Sequence, residues 1–304
     1  MTNINWLQRA SNAELSVRNF INGEFCPAIE PSLSAIDTIH KYSGRDGSLL
    51  YCFPCGSAED VNIAVANARE AFADGRWRKK TVYERAAILN KLADLVAENQ
   101  EQFALYESLD VGKPITKALN DDLGRTVGNL RGAAALASQV LAPSGADLGH
   151  MAYQRRKPVG VVAGIAGWNF PLTMSAGKLA PALMMGNCLV LKPSEFTSLS
   201  AQHLAALAIE AGVPPGVFNV VHGNGATVGA ALAEHADVDM LAFVGSSATG
   251  GQIMQSSGRS NMKRLLLECG GKSPFIVFDD CPDDLDAVAQ KIVETAFPNQ
   301  GALC

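Results

Sequence analysis

Nothing in this 304-residue chain approaches the run of about 20 largely apolar residues that a membrane-spanning helix needs. The longest apolar segment, 179–191, is broken by Gly186 and Asn187. The opening residues, MTNINWLQRASNAEL, lack a basic region followed by an apolar run, so no secretory leader is legible there. Basic charge is not in excess: 25 Lys and Arg against 30 Asp and Glu give a formal net charge of -5. That balance removes any general electrostatic pull toward nucleic acid or anionic membranes, and neither is expected as a partner. Two short basic runs, RWRKK at 76–80 and RRK at 155–157, read as solvated faces. Seven cysteines, an odd number, make a poor disulfide framework and fit a reducing compartment, the cytoplasm. Cys52 and Cys55 have the spacing of a metal or redox pair, but no second pair or nearby histidine completes a ligand set, and no metal is expected. Repeats and low-complexity tracts are absent.

What is present is a hydrophobic fraction of 48%, enough for a large core, and a length that allows two lobes at about 100–200 residues each. The first 55 or so residues mix β-prone pieces (INGEF) with turn signals (SGRDG), an irregular layer. Ser57-Ala58-Glu59-Asp60 starts a helix with Val61, Ala64, Val65, Ala68 and Phe72 on one face. A second helix is expected over 81–99, with Ala87, Ile88, Leu92, Leu95 and Val96 as its apolar stripe. More helix follows, interrupted at Gly112-Lys113-Pro114, and 144–158 reads as extended. From Val159 onward, short apolar runs at 160–165, 188–191, 217–221, 241–244, 264–267 and 274–278 are expected as strands. They alternate with helical patterns at 173–185, 200–211, 226–235 and 247–255, and a final helix covers 285–297. Alternation at this spacing predicts an α/β fold, a buried parallel sheet with flanking helices.

A parallel sheet places phosphate sites where strands feed helices. No GxGxxG follows the first core strand. Instead, FVGSSATG at 243–250 sets a glycine and two serines between a strand and a helix. Backbone N–H groups and a hydroxyl there suit a pyrophosphate, although for the segment alone an ordinary capped helix start is the favoured reading. HGNGATVG at 222–229 has the same ambiguity. Lys192-Pro193-Ser194-Glu195 closes a buried-looking strand, either at the edge where a nucleotide ribose sits or as a solvated strand end. In Trp168-Asn169-Phe170-Pro171 the Asn amide is a candidate oxyanion donor, or a turn residue. Glu268 ends another apolar strand before Cys269-Gly270-Gly271-Lys272, a candidate general base or a solvated turn residue. Cys304, after Asn299-Gln300-Gly301, is a candidate nucleophile in a loop, while the other six cysteines read as small buried hydrophobes.

Taken in order, GWNFP (167–171), LKPSE (191–195), FVGSSATG (243–250), LECGGK (267–272) and FPNQGALC (297–304) resemble the aldehyde dehydrogenase superfamily. NFINGEF near the start, LDVGKP at 109–114 and GVPPGVFNVVHG at 212–223 extend the resemblance over nearly the whole chain. The resemblance implies a Rossmann-like, aldehyde dehydrogenase-like fold: an NAD(P)-binding domain over 1–270, with 144–158 as an extended oligomerisation segment, and the start of a catalytic domain at 271–304. It implies also that the remainder of the catalytic lobe lies outside this chain.

The same resemblance implies an activity, the oxidation of an aldehyde to a carboxylic acid with NAD, or NADP, through a cysteine thiohemiacetal and thioester. By it Cys304 is the nucleophile, Asn169 the oxyanion donor, Glu268 the base, and Lys178 lies near the oxyanion and base. Lys192 and Glu195 hold the adenosine ribose, Ser246 the pyrophosphate, Gly225 and Gly229 line the adenine side, and Trp168 sits at the nicotinamide end. Ile165, Ala166, Ser194, Phe243, Gly245 and Gly270, with Glu268, complete the implied cofactor set. A carboxylate at Glu195 favours NAD over NADP. The partner implied is a small-molecule aldehyde, from the amino- or acylamino-aldehyde branch, in a homodimer or homotetramer at full length. Ala302 stands where most relatives have Gln or Glu, and Gly167 where they have Pro; neither change removes a reacting group. Two alternatives stay open: a nucleotide-binding module without turnover, and a CoA-acylating relative, against which Glu268 counts.

Overall fold

The computed structural model describes residues 4–28, 38–139, 144–147, 150–153, 156–281 and 284–303. Its strands in chain order are β1 (Asn19–Ile21), β2 (Glu24–Cys26), β3 (Thr38–Tyr42), β4 (Leu49–Pro54), β5 (Ser144–Asp147), β6 (His150–Tyr153), β7 (Val161–Ile165), β8 (Cys188–Lys192), β9 (Phe218–Val220), β10 (Met240–Gly245) and β11 (Arg264–Cys269). The helices are α1 (Trp6–Ser11), α2 (Ala58–Asp74), α3 (Val82–Glu98), α4 (Gln100–Val111), and a turn α5 (Ile115–Lys117) that runs through a π-helical stretch (Ala118–Asp122) into α6 (Leu123–Ala135). They continue with α7 (Pro171–Met184), α8 (Leu199–Ala211), α9 (Ala230–Glu234), α10 (Ser247–Arg259) and α11 (Leu285–Ala296).

Seven strands form one sheet in the order β11-β10-β7-β8-β9-β1-β2, of which β11 to β9 run parallel. The chain builds β7, β8 and β9 outward in one direction, then returns to lay β10 and β11 on the other side of β7. Helices α7 and α8, backed by α3 and α6, pack together, while α2, α9 and α10 form a second group against the sheet. This is the α/β fold with a parallel sheet and flanking helices expected from the alternation, here doubly wound with its switch point between β7 and β10. Strands β7, β8 and β9 are buried along their whole length, which is why they read as continuous apolar runs.

Local chemistry sets the element ends. Ser57 and Asp60 form a reciprocal capping box on α2, which ends at Gly75 in the left-handed region (φ 83°), and Thr81 and Glu84 do the same for α3. The basic run at 76–80 is less solvated than expected. Arg76 bonds Asp74 and Glu70, Arg78 and Lys79 donate to the last carbonyls of α2, and Trp77 is fully buried with its indole N–H on the Leu183 carbonyl at 2.9 Å. Of the first 55 residues, β1 and β2 join the main sheet, Asn22-Gly23, both at positive φ, turning β1 back on β2 and β1 lying beside β9, while β3 and β4 form a two-stranded sheet of their own.

Other expectations need correction. In α3 the buried face is Ala86, Leu89, Leu92, Ala93 and Val96, and Ala87 is exposed, because the face turned to α6 and α8 is centred one residue away. The stretch 274–278 is not a strand; among the described residues no strand pairs with it, and Phe275, Ile276, Val277 and Phe278 stand 46–70% exposed. A strand needs partners for its N–H and C=O groups, which apolar composition does not supply. The helix expected over 226–235 begins with a π-helical turn, Gly225–Gly229. Of the six further cysteines only Cys55 and Cys188 are buried, and Cys52 and Cys269 are exposed. The segment 144–158 contains the β5–β6 hairpin, separate from the main sheet. Among the described residues no helix is long and apolar enough to cross a membrane.

Candidate active site

The parallel strands end side by side, and their carboxyl ends carry most of the candidate residues. Ile165 and Lys192 are register partners across β7 and β8, and the Ala166 amide donates to the Lys192 carbonyl at 3.0 Å. Lys192 is 2% exposed, which excludes a solvated strand end. Its ammonium is kept in the interior by donating to the Pro193 carbonyl (2.9 Å) and to Glu195 Oε2 (3.1 Å). Burial pushes its pKa down, and the Glu195 charge opposes that shift. The Ser194 hydroxyl is occupied locally, accepting from the Phe196 amide at 3.3 Å. A Cβ on Gly229 would stand 3.8 Å from Lys192 Cδ and 4.0 Å from Ile165 Cδ1, while one on Gly225 would meet nothing within 4 Å. Gly229 thus packs against the buried lysine, while Gly225 faces open space.

At the end of β10 the chain passes from Phe243 through Gly245 into α10. Ser246 is the N-cap, its Oγ accepting from the Thr249 amide at 3.2 Å, and Ser246, Ser247 and Ala248 are exposed. The helix start is both capped and open to solvent, so its free N–H groups remain available to an anion. The Phe243 ring lies against Gly245, where any Cβ would fall 2.4 Å from Cζ. Gly270 donates to the Gly245 carbonyl at 3.3 Å, joining the ends of β10 and β11.

The loop after β7 bears the other candidates. Trp168 is 48% exposed. The Asn169 side-chain amide donates to the Ala302 carbonyl at 2.8 Å, and Asn299 Nδ2 returns a bond to the Asn169 carbonyl at 2.9 Å. The loop before Cys304 is thus docked on Asn169; Cys304 itself lies outside the described residues. Lys178 on α7 and Glu268 at the end of β11 line one cavity of about 510 Å³, with Met174, Val162, Phe243 and Val244 in its walls. Burial lowers the Lys178 pKa to about 8 against an ordinary 10.5, with Glu268 acting in the opposite sense. Glu268 is exposed and pairs in register with Val244.

A fold with its switch point at β7 and β10, and these residues along it, is matched by known proteins. The model of the aldehyde dehydrogenase family matches residues 32–304. The chain belongs to the aldehyde dehydrogenase family. It is 44% identical over 298 residues to the aminoacetaldehyde dehydrogenase of Pseudomonas aeruginosa, covering 97% of this chain and 58% of that protein. It is 42% identical over 301 residues to the NADP/NAD-dependent aldehyde dehydrogenase PuuC of Escherichia coli, covering 98% and 59%. The solved structure of the P. syringae indole-3-acetaldehyde dehydrogenase AldA in complex with NAD+ superposes with a TM-score of 0.91 at 43% identity, again over 98% of this chain and 59% of that one. The chain therefore spans a little under three fifths of the relatives it matches.

Sequence reasoning missed one part of this aldehyde dehydrogenase chain, a buried polar network beneath the Asn169 loop. Glu107 and Asp110, one turn apart on α4, point into the protein. Glu107 Oε1 accepts the Leu172 amide (3.1 Å) and the Ser200 hydroxyl (2.5 Å), and Asp110 accepts the Leu199 amide (3.1 Å) and the Tyr51 hydroxyl (2.6 Å). Two carboxyls of one helix thereby cap the starts of α7 and α8. Burial raises Glu107 to about 8 and Asp110 to about 7. Beside them Lys113 pairs with Asp122 at 2.5 Å, both almost fully buried. The available signal was the LDVGKP segment at 109–114, which by itself reads only as a turn and as part of the resemblance.

Proposed function

We propose that this chain supplies the nucleotide-binding and nucleophile-presenting part of an enzyme that oxidises an aldehyde to its carboxylic acid with NAD(P)+. The observation that carries the reading is the row formed by Ile165, Lys192, Gly229, Gly245 and Ser246 at the carboxyl edge of the sheet, with Asn169 bonded to the loop that leads to Cys304. The residues fit a dinucleotide. The open N-terminus of α10 suits a pyrophosphate, and Lys192 with Glu195 offers a donor and an acceptor for ribose hydroxyls. Gly225, where a side chain would meet nothing within 4 Å, and Gly229, packed against Lys192, are assigned to the adenine side. Trp168 stands at the nicotinamide end, and Ala166, Ser194, Phe243 and Gly270 shape the walls. In that cradle NAD(P)+ supplies the two-electron acceptor.

The chain's own residues divide the remaining chemistry. The Cys304 thiolate forms a C–S bond to the aldehyde carbon, and the carbonyl oxygen becomes an alkoxide. The Asn169 amide and the Cys304 N–H stabilise that oxyanion, an effect on the order of 10²–10³ in rate for one donor. Once the substrate C–H bond is broken and the carbonyl re-forms, the acyl group remains on sulfur as a thioester. Glu268 then takes a proton from water, which attacks the thioester, releases the acid and restores the thiolate. Lys178, sharing the cavity with Glu268, contributes positive charge beside the base.

We assign residues 1–270 to the NAD(P)-binding domain and 271–304 to the start of the catalytic domain. That division is supported by the exposed apolar side chains at 275–278 and by α11, which buries no residue. The segment 144–158, with its strands β5 and β6, is assigned to contacts between subunits of a homodimer or homotetramer, in the cytoplasm. The substrate class is an amino- or acylamino-aldehyde, in keeping with relatives named for aminoacetaldehyde and γ-glutamyl-γ-aminobutyraldehyde. The test is NADH formation by the purified protein, as its gene encodes it, with propanal, 3-aminopropanal and indole-3-acetaldehyde. Turnover that is highest with 3-aminopropanal and vanishes in Cys304→Ala is expected. NAD binding with no turnover on any aldehyde would mean a binding module instead.

A further inference from the structure

Three of the four residues from Asn169 to Leu172 are held by a single short stretch, Glu107 to Lys113, at the end of α4. Gly112 closes that helix in the left-handed region (φ 82°) and turns Lys113 back beneath the loop. The Lys113 ammonium lies 3.3 Å from the Asn169 carbonyl and 4.7 Å from the Phe170 ring centroid, while Glu107 accepts the Leu172 amide at 3.1 Å. Lys113 and Asp122 have side chains 1% and 4% exposed, so the ammonium is not a surface charge passing by. A lone ammonium in the interior is costly, and the 2.5 Å pair with Asp122 is what makes its place there tenable.

None of the chemistry above uses Lys113, Asp122 or Glu107. We infer that Lys113, fixed by Asp122 and assisted by Glu107, is a positioning residue: it sets the peptide plane of Asn169 and so the direction in which the Asn169 amide is aimed. The inference rests on the reading of Asn169 as the oxyanion donor. The physical ground is that donor strength depends on placement, and a displacement of about 1 Å in a catalytic group can cost roughly 100-fold in rate. The Asn169 carbonyl has two anchors, Lys113 Nζ and Asn299 Nδ2, one from the nucleotide-binding body and one from the loop before Cys304. Lys113 is the anchor that does not depend on how that loop lies.

The test is a double-mutant cycle on kcat/KM for propanal, in the protein as its gene encodes it. Lys113→Met with Asp122→Asn removes both charges at nearly constant volume, which avoids stranding one buried ion. Asn169→Ala is expected to lower kcat/KM about 100-fold or more. In the wild-type background the charge-free pair is expected to lower kcat/KM about tenfold, with the dissociation constant of NAD within twofold of wild type. In the Asn169→Ala background the same pair is expected to change kcat/KM by less than twofold, because the amide it positions is gone. An equal loss in both backgrounds, or no loss in the first, overturns the inference while leaving the role of Asn169 intact. An active enzyme in which Asn169→Ala costs nothing overturns the oxyanion reading itself. Should the pair variant fail to fold, Lys113→Arg, which keeps the charge and alters the reach, is read in the same two backgrounds against the same criteria.

Discussion

The Asn169 side-chain amide and the Ala302 carbonyl are 2.8 Å apart although 133 positions separate them in the chain. This bond, with the Asn299 amide donating to both the Asn169 and Ala302 carbonyls, ties the loop before Cys304 to the loop after β7. The contact uses the backbone carbonyl of Ala302, so the side chain at 302 takes no part in it.

Asn299 occupies the left-handed region (φ 50°), as does Gln300 (φ 57°), a conformation asparagine accepts more readily than most residues. Asn299→Ala loses that tolerance and two hydrogen bonds, each worth about 1 kcal/mol. Hydrogen exchange of the amides at 300–303 is expected to rise at least about fivefold, with the amides of β8 unchanged. Unaltered exchange at 300–303 would show that the clamp does not hold the loop.

The order of strands and helices was legible because buried parallel strands are apolar throughout and their helices amphipathic, two patterns with different periods. Caps were legible as well, since Ser57 with Asp60 satisfies free N–H groups from within four residues. The failures share a physical cause, dependence on distant partners. The run at 274–278 has strand composition and no pairing among the described residues. Lys192 reads either as a ribose contact or as a solvated strand end, and its burial is set by the elements packed around β8, which its own segment does not show. The local signal of 243–250 stayed ambiguous for a different reason: Ser246 does cap its helix, and capping leaves the other free N–H groups of the first turn open.

Burial holds the Glu107 carboxyl up at about 8 against an ordinary 4.5, while Lys113 and Ser200 pull it back. The folded protein therefore keeps a proton that the unfolded chain releases between those values. The stability this group contributes is full below pH 4.5 and is lost as the pH rises through 8. Glu107→Gln copies the protonated side chain and keeps an acceptor for Leu172 and Ser200. The unfolding free energy of wild type minus that of the variant is expected to fall by roughly 1–3 kcal/mol from pH 5 to pH 8.5 in urea titrations. A difference independent of pH would mean that Glu107 is ionised throughout.

Lys178 carries the opposite sign. Its pKa is lowered to about 8 from 10.5, chiefly by burial, so between those values the unfolded chain binds the extra proton and stability rises with pH. Lys178→Met removes the group that is charged and poorly solvated below pH 8. Wild type minus variant is expected to climb by roughly 1–2 kcal/mol between pH 7.5 and pH 10. A decline over that window would contradict a desolvated lysine in the Glu268 cavity.

Glu195 holds Lys192 at 3.1 Å and presents its carboxylate where the ribose of a dinucleotide is proposed to lie. A ribose 2′-hydroxyl can donate to that carboxylate, whereas a 2′-phosphate is repelled by it, so the native enzyme is expected to favour NAD. Glu195→Gln keeps the length and an acceptor oxygen, and removes the negative charge. The ratio of kcat/KM with NADP to kcat/KM with NAD is expected to rise about tenfold, equivalent to about 1.4 kcal/mol of relieved repulsion. Most of the change belongs in the KM for NADP, since the contact is far from the reacting carbon and acts equally on ground and transition states. Because a pair in water is screened, the ratio for the native enzyme is also expected to rise with ionic strength, and that for the variant to stay level. A variant that still discriminates as the native enzyme does would move the choice of cofactor to another residue.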